Sequence, residues 1–414
     1  MNQNLRINGE RLLSRLAEMA QIGATEKGGV CRVALSDEDK VGRDLFIEWC
    51  QAANCDIAVD QIGNIFARRN GSNEDSPAIL TGSHLDSQPT GGKFDGVYGV
   101  LAALEVLETL NDHDITTIHP LEIVSWTNEE GARFAPGLTG SGVYTGVFDL
   151  EEAYACVDKD GFILGEELLR IGYAGIAAPG GRSIKAALEI HIEQGPILEE
   201  EGIPIGVVHG VQGMYWYDLV FEGQEAHAGT TPMERRKDPV AAAVSVIEKI
   251  YQLNDIYAPQ GRATFGDFIV EPGSRNTVPG KLTVTLDYRH PEEAVLRTVD
   301  SEVRSIVDAE SETRRIKGWV DEIWYMPPVT FSAECIAAVQ HAADQLGYPS
   351  REMVSGAGHD AMYLAQVAPT GMIFIPCDNG LSHNELENAQ SEDLIAGGNV
   401  LLHAILELAN PQVN

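Results

Sequence analysis

The amino-terminal half of the chain alternates short apolar runs of β-forming residues with segments of helical spacing. Strands are predicted over 55–68 as a hairpin and over 78–83, 121–127 and 186–192, and helices are predicted near 12–19 and over 97–110. This β-α-β order is typical of an α/β fold with a mostly parallel sheet covered by helices. In such a sheet, the loops that bind ligands gather at the carboxyl ends of the strands.

The pattern changes near residue 211, where half-exposed strands replace the buried ones. Strands are predicted over 214–222, 263–270, 281–288 and 314–325, with helices over 239–253 and 291–307. This β-α-β-β-α-β order is the ferredoxin-like arrangement, and we interpret it as an inserted α+β lid and dimerisation domain over 211–328. A helix over 332–346, a strand over 372–376 and a helix over 391–408 then return to the first sheet. The catalytic domain is therefore predicted to comprise 1–210 and 329–414.

The chain is strongly acidic, with a formal net charge of -33 from 62 acidic and 29 basic residues. Such a field repels phosphate backbones and anionic membranes, so we expect neither nucleic acid nor a membrane as a partner. The first 22 residues carry three arginines and no continuous apolar stretch, which predicts no signal peptide. The six cysteines form no CxxC pair, and the expected location is therefore a reducing cytoplasm.

Five side chains of metal-binding type follow predicted strand ends or glycine-rich turns: His84, Asp95, Glu130, His191 and His383. Each has a simpler interpretation when taken alone. Asp95 could cap the following helix, His191 could be a core histidine and His383 a surface loop residue. Together, however, histidines and carboxylates at strand ends match a mixed nitrogen and oxygen site for two metal ions that share a bridging carboxylate.

Glu129 and Glu130 are adjacent acids at the end of the strand over 121–127. Neighbouring residues at a strand end point in different directions, so one can bind a cation while the other moves a proton. The alternative is a solvated helix N-terminus, whose dipole favours acids. Asp86 shares a face with His84 in an extended segment, and we expect it to hold the His84 imidazole in one tautomer.

These motifs resemble the di-metal aminoacylase and carboxypeptidase clan over essentially the whole chain. Within it they look like the group of N-carbamoyl-L-amino-acid hydrolases, β-ureidopropionases and allantoate amidohydrolases. The resemblance implies two divalent ions bound by His84, Asp95, Glu130, His191 and His383. It also implies that Asp95 bridges the ions, that Glu129 is the general base and that the protein is a homodimer built through the inserted domain. Zinc, manganese, cobalt or nickel suit such ligands.

The resemblance also implies residues that bind the substrate. His227, in the segment 224–232, resembles the histidine that polarises the scissile carbonyl, although by itself it is typical of a polar loop. Asn276 and Arg289 resemble the positions that hold the substrate carboxylate, for which an amide donor and an arginine fork are suited. A salt bridge at a strand end is the alternative for Arg289. Gln194 and Gly358 would line the same pocket.

The expected activity is hydrolysis of the carbamoyl (ureido) C–N bond of an N-carbamoyl amino acid, of the L-α or β-alanine type, to the amino acid, carbon dioxide and ammonia. An allantoate amidohydrolase is one alternative, yet segments 131–136 and 139–141 look more like the carbamoyl-amino-acid branch. An aminoacylase or peptidase of the clan would share the five ligands, but Gln194, Asn276 and the His227 loop favour a ureido substrate. A metal-binding protein without catalysis would be expected to lack the base or a ligand, and the sequence lacks neither.

Overall fold

A computed structural model describes residues 4–410. The strands are β1 (Asp56–Val59), β2 (Ile65–Arg69), β3 (Ala78–His84), β4 (Leu121–Trp126), β5 (Ile184–Ile192), β6 (Ile205–Val211), β7 (Gly213–Glu222), β8 (Ala226–His227), β9 (Arg262–Thr264), β10 (Phe268–Glu271), β11 (Thr277–Val278), β12 (Lys281–His290), β13 (Lys317–Met326), β14 (Val329–Thr330), β15 (Ser350–Ser355) and β16 (Thr370–Ile375). The helices are α1 (Gly9–Met19), α2 (Asp37–Ala52), α3 (Val97–Asp112), α4 (Thr139–Thr145), α5 (Leu150–Tyr154), α6 (Leu164–Ile171), α7 (Ile197–Glu201), α8 (Pro239–Ile256), α9 (Glu293–Arg314), α10 (Ala333–Leu346), α11 (Asp360–Leu364) and α12 (Ser391–Ala409).

One compact unit is formed by the chain up to Gly210 and from Thr330 onwards. Its nine-stranded sheet has the order β1-β2-β4-β3-β5-β16-β6-β14, and β15 also pairs with β6. Strands β4, β3, β5 and β16 are parallel neighbours, whereas β1, β2 and β6 pair antiparallel. The predicted α/β class with a mostly parallel central sheet is confirmed.

Both faces of the parallel strands are buried. On β3, Ile79 packs into the large core that includes α3 and α12, whereas its neighbour Leu80 packs with Trp126 and Tyr144 in a smaller cluster. Helix α3 carries apolar residues on every side and is buried along most of its length. Parallel strands covered on both faces form a rigid support, so their carboxyl ends can hold side chains in fixed positions.

The second compact unit, Val211–Val329, contains a five-stranded antiparallel sheet. Its strand order is β10-β12-β7-β13, with β9 also paired to β12. Strand β12 alternates buried and half-exposed residues, and its buried side packs with apolar residues of α8 and α9, such as Val246 and Val299. The β-α-β-β-α-β order is therefore present in this unit. Strands β8 and β11 form a separate two-stranded pair.

The structure departs from the sequence prediction in several elements, and helix α2 and strands β6 and β15 are among those that were not predicted. The second boundary lies after Val329, one residue later than expected. The single strand predicted over 263–270 is interrupted, because Thr264 pairs with Asp287 whereas Phe268 pairs with Val284. The segment that joins β9 to β10 thus has one extra residue opposite β12, as in a β-bulge. The extra residue shifts the phase of the alternation by one, from Ala263 and Phe265 to Phe268 and Val270, and the sequence prediction treated both parts as one strand.

Two further observations concern the sequence predictions about location. Between residues 4 and 410, no helix combines the length and the apolar character that a membrane crossing requires. All six cysteines lie in this part of the chain and are free thiols. Four of them are buried, as core residues are: Cys50, Cys55, Cys335 and Cys377.

Candidate active site

The carboxyl ends of the parallel strands bring the first site residues together. His84 is the last residue of β3 and pairs in register with Trp126, the last residue of β4. His191 is the penultimate residue of β5, which is the other parallel neighbour of β3. Glu129 and Glu130 follow β4 within four residues. The sheet therefore delivers two imidazoles and two carboxylates to one edge.

Asp95 lies at the centre of this group. Its Oδ1 atom is 3.5 Å from His84 Nε2 and 3.2 Å from His191 Nε2. Its Oδ2 atom is 3.4 Å from His383 Nε2, which in turn is 3.3 Å from Glu130 Oε2. The five predicted metal ligands thus form two groups that meet at one carboxylate. The imidazole of His383 is 53% exposed, so this side of the site is open to solvent.

Backbone carbonyls orient the two buried imidazoles. His84 Nδ1 lies 2.9 Å from the carbonyl oxygen of Asp86, and His191 Nδ1 lies 2.9 Å from that of Ile192. Because a carbonyl only accepts hydrogen bonds, each Nδ1 donates, and Nε2 is the nitrogen that faces Asp95; His191 Nε2 is also 3.1 Å from the Gly96 backbone nitrogen. This is the ring orientation in which histidine binds a metal through Nε2, with the other ring nitrogen held by a partner.

The spacing of the donor atoms fits a metal ion. Within each group, the neighbouring imidazole nitrogens and carboxylate oxygens are 3.2–3.5 Å apart. Ligands about 2.1 Å from a tetrahedral ion lie roughly 3.4 Å from each other. Imidazole nitrogens and carboxylate oxygens are also the ligands that zinc, manganese, cobalt and nickel accept. Residues His84, Asp95 and His191, or Asp95, Glu130 and His383, can therefore hold a divalent ion.

Burial and mutual charge set the protonation of these groups. Burial opposes ionisation of Asp95, yet the adjacent His191 and His84 imidazoles hold its pKa well below the usual range. Burial also opposes protonation of His84, but Glu129 and Asp95 raise its pKa well above the usual value. Burial raises the pKa of Glu129 well above its usual value, and burial with the nearby charge of Asp95 raises the pKa of Glu130 to about 8. Negative charge is thus crowded here, as in a cation site.

The carboxylate of Asp86 has a different task from the one expected. It was expected to hold the His84 ring, but its Oδ1 atom is 3.9 Å from His84 Nδ1, and the backbone carbonyl makes that bond instead. The two carboxylate oxygens accept hydrogen bonds from the backbone N–H groups of Glu129 and Glu130, each at 3.3 Å. Asp86 therefore orients His84 through its main chain and the glutamate pair through its side chain.

Gln194 and Gly358 lie close to the ligands in different ways. Gln194 Nε2 donates to Asp95 Oδ2 at 3.0 Å and to Ser382 Oγ at 3.1 Å, so its amide orients the central carboxylate. Gly358 precedes His359, the residue before α11, and the His359 ring lies 4.7 Å from that of His191. A role of either residue in substrate binding stays a prediction.

The remaining predicted residues belong to the second unit. Pairing of β8 with β11 places His227 opposite Thr277, and the Ala228 N–H donates to the Asn276 carbonyl at 2.9 Å. His227 and Asn276 are therefore neighbours, and both are exposed. Arg289 lies on β12, where its guanidinium makes a forked ion pair with Asp287, with Nη2 to Oδ2 at 2.8 Å. The salt bridge considered as an alternative for Arg289 is thus present.

Several residues of the site were not predicted from the sequence. Gln88 donates to both oxygens of Glu130, from its backbone at 3.1 Å and from its side chain at 2.7 Å. Glu387 is buried and accepts hydrogen bonds from the backbone N–H of Phe94 and of Asp95. Burial, with the charge of Asp95, raises the pKa of Glu387 to about 7. Glu385 and Glu387 look alike in the sequence, and only folding shows which of them is buried.

A third group of ligand-type residues shares His191 with the site. Atoms of Glu189, His191 and His359 lie within 4.8 Å of one another. The Glu189 carboxylate, however, accepts from Ser83 Oγ at 2.7 Å and from the Ala361 N–H at 3.0 Å. These bonds join β3, β5 and α11, so we assign this group to the support of the site.

Residues 80–407 match the model of peptidase family M20/M25/M40. This span contains the five predicted ligands and the whole second unit, and the chain belongs to this family. The resemblance drawn from the sequence motifs is confirmed.

The relatives within the family include N-carbamoyl-L-amino-acid amidohydrolases and allantoate amidohydrolases. An N-carbamoyl-L-amino-acid amidohydrolase of Rhizobium meliloti is 44% identical over 407 residues, covering 98% of each chain. An allantoate amidohydrolase of Bacillus subtilis is 34% identical and covers 94% of this chain and 95% of its own. The crystal structure of an amidase of the hydantoinase/carbamoylase family from Burkholderia multivorans is 53% identical, with a TM-score of 0.95 over 99% of this chain and 100% of that one.

Gly96 offers a test of the ligand geometry. It has a φ of +65°, and a Cβ at this position would collide with the His84 ring. Gly96→Ala should therefore displace the imidazole and lower the metal content of the purified chain. Gly172→Ala is the matched control, because Gly172 also has a positive φ, +82°, but a Cβ there meets nothing within 4 Å. The control should cost only about 1–2 kcal/mol of unfolding free energy. Elemental analysis measures the metal content of the two variants, and chemical unfolding measures their stability. Wild-type metal content in Gly96→Ala would contradict the assignment of His84 as a metal ligand.

Proposed function

We propose that the protein is an N-carbamoyl-L-amino-acid amidohydrolase that uses two divalent metal ions. The observation that carries the proposal is the position of Asp95, whose two oxygens face separate sets of ligands, His84 with His191 and His383 with Glu130. A carboxylate shared in this way is what a two-metal hydrolase needs. The name of the Rhizobium meliloti relative supports the ureido substrate.

The two metal positions have distinct ligands. His84 and His191 would hold one ion and His383 and Glu130 the other, with Asp95 between them. Ions at these positions would lower the pKa of a shared water and polarise the ureido carbonyl. Proton transfer, stabilisation of the developing charge and substrate binding are assigned to side chains of the protein.

Glu129 is the proposed general base. Its Oε2 atom lies 3.3 Å from His84 Nε2, at the edge of the ligand group, whereas both oxygens of Glu130 are engaged by Gln88. Glu129 can therefore take the proton of the attacking water and return it to the departing nitrogen. Addition at the carbamoyl carbon followed by C–N cleavage releases the amino acid and carbamate, which decomposes to carbon dioxide and ammonia.

His227 is the proposed donor to the carbonyl oxygen as negative charge develops on it. Its Nδ1 atom accepts from the N–H groups of Gly229 and Thr230, at 3.1 and 3.2 Å. The ring proton is then on Nε2, which makes the exposed side of the ring a hydrogen-bond donor. Asn276, next to His227, and Arg289 are proposed to bind the substrate carboxylate, and Arg289 would share its fork between that carboxylate and Asp287.

Further proposals concern assembly and location. Strand β10 is an end strand of its sheet, and its residues Phe268, Ile269 and Val270 are exposed. An open apolar edge strand is a pairing site for another chain, which supports a homodimer formed through the second unit. The free thiols support a cytoplasmic location.

Substrate choice can be tested by ammonia release. Zinc- or manganese-loaded protein should release ammonia from N-carbamoyl-L-α-amino acids, with D-isomers as controls. N-carbamoyl-β-alanine and allantoate should release ammonia more slowly. N-acetyl-amino acids yield acetate instead of ammonia, so their turnover is followed as release of the free amino acid and should also be slower. Chelation should abolish all of these activities. Faster turnover of allantoate would favour the alternative suggested by the Bacillus subtilis relative, and turnover of N-acetyl-amino acids alone would indicate an aminoacylase.

The adjacent glutamates test the division between base and ligand. Glu129→Gln should keep its metal and lower kcat by about 10²–10⁴, because only the proton acceptor is removed. Glu130→Gln is the matched variant, and it should lose metal because an anionic ligand becomes neutral. Metal analysis and kcat on one N-carbamoyl-L-amino acid measure both. Near-wild-type kcat in Glu129→Gln would remove Glu129 from the role of base.

The role of His227 can be tested with an asparagine substitution and the same substitution at a control histidine. In His227→Asn the amide oxygen can still accept from Gly229 and Thr230, but the Nε2 donor is lost, so kcat should fall by about 10²–10³ with metal content unchanged. His341→Asn, at an exposed histidine on α10 paired with Glu407, is the control and should be neutral. An unchanged kcat in His227→Asn would mean that the ring does not stabilise developing charge.

A further inference from the structure

Glu387 links the two loops that carry Asp95 and His383. Its Oε1 atom accepts from the backbone N–H of Phe94 at 3.0 Å and from that of Asp95 at 3.1 Å. Its Oε2 atom accepts from Ser382 Oγ at 2.9 Å, and Ser382 directly precedes His383. The buried carboxylate of Glu387 thus contacts both the loop that carries Asp95 and the loop that carries His383.

The surroundings of Glu387 leave it little freedom. It is 1% exposed, and a Cβ on Gly92 would collide with its carboxylate, so the turn before Asp95 is packed directly against it. Phe94 and Asp95 precede α3, in the turn that leads into its N-cap residue Gly96, and their buried backbone N–H groups need acceptors. Glu387 supplies an acceptor from a loop nearly three hundred residues away, and its charge suits the positive end of the helix.

Ser382 extends the link to the Asp95 side chain. Its hydroxyl is 3.0 Å from Asp95 Oδ2 and 2.9 Å from Glu387 Oε2, and it accepts from Gln194 Nε2 at 3.1 Å. Gln194 Nε2 also donates to Asp95 Oδ2 at 3.0 Å. Gln194 thus orients the oxygen of Asp95 that faces His383, and the single hydroxyl proton of Ser382 is shared between that oxygen and Glu387 Oε2.

We infer that Glu387 is a positioning residue that sets Asp95 and His383 at the separation at which they can hold a metal ion together. It acts through the backbone of Asp95 and through Ser382, and it contacts neither the substrate nor the reacting atoms. The inference rests on the proposed use of Asp95 and His383 as metal ligands. Removing a residue that holds metal ligands through hydrogen bonds typically weakens metal affinity by about 10–100-fold.

The experiment is competition for Zn²⁺ between a chromophoric chelator and the full-length, metal-loaded chain. Glu387→Ala should weaken Zn²⁺ binding by about 10–100-fold. Glu387→Gln keeps an amide oxygen for the two backbone N–H groups and should stay within about threefold of the wild type. At saturating Zn²⁺, Glu387→Ala should regain most of its kcat with an unchanged KM, because substrate contacts are intact. Glu385→Ala, two residues earlier at a side chain paired with Lys27, is the matched control and should bind Zn²⁺ as the wild type does.

The outcomes separate this inference from the proposed function. Wild-type Zn²⁺ affinity in Glu387→Ala would overturn the positioning role while leaving the proposed function intact. Equal loss in Glu387→Gln and Glu387→Ala would also overturn it, because charge rather than bond geometry would then be responsible. If Glu387→Ala does not fold, Ser382→Ala carries the test, since it removes the bond between Glu387 and the His383 loop together with the Ser382 contacts to Asp95 and Gln194, and it should weaken Zn²⁺ binding measurably. A wild-type chain that binds no Zn²⁺ would instead contradict the proposed metal site itself.

Discussion

The structure depends on one buried carboxylate, that of Asp95. A charged group removed from water is stable only when it is paired or fully hydrogen-bonded, and here imidazoles face one oxygen and a third imidazole faces the other. The three histidines come from β3, β5 and the loop after β16, so the carboxylate is compensated only when these parts of the chain are folded together. Function and fold therefore impose the same geometry.

The sequence predicts the positions of those site residues that lie at strand ends, namely His84 and His191. Parallel strands align their carboxyl ends, so a histidine that ends β3 and one that nearly ends β5 are expected at the same edge of the sheet, and the structure adds that the two strands are direct neighbours. The apolar runs that define these strands are also the strongest signal in the chain. The positions of Asp95 and His383 depend on loops, and for these the sequence offered residue types and family resemblance without geometry.

Other features could not be predicted, for identifiable physical reasons. Asp86 and His84 share a face in an ideal strand, but β3 ends at His84, so beyond it the alternation no longer applies and the Asp86 carboxylate turns to the backbone of Glu129 and Glu130. Arg289 pairs with Asp287, two residues away on the same strand, and sequence alone does not show whether an arginine pairs locally or with a ligand. Glu387 accepts a hydrogen bond from the Asp95 N–H, 292 residues away in the sequence, and no periodicity reports a contact of that range.

Under the proposed function, the two adjacent glutamates give one loop two different roles, those of base and ligand. Asp86 fixes both of their backbone N–H groups, so the main chain at this point is held while the side chains diverge. Glu130 is then held by Gln88 and directed to His383, which suits a ligand that must not move. Glu129 is directed to His84 at the edge of the ligand group, where a carboxylate can exchange a proton without releasing a metal. A ligand needs rigid support and a base needs freedom to change charge, and the hydrogen bonds around these two side chains differ in that respect.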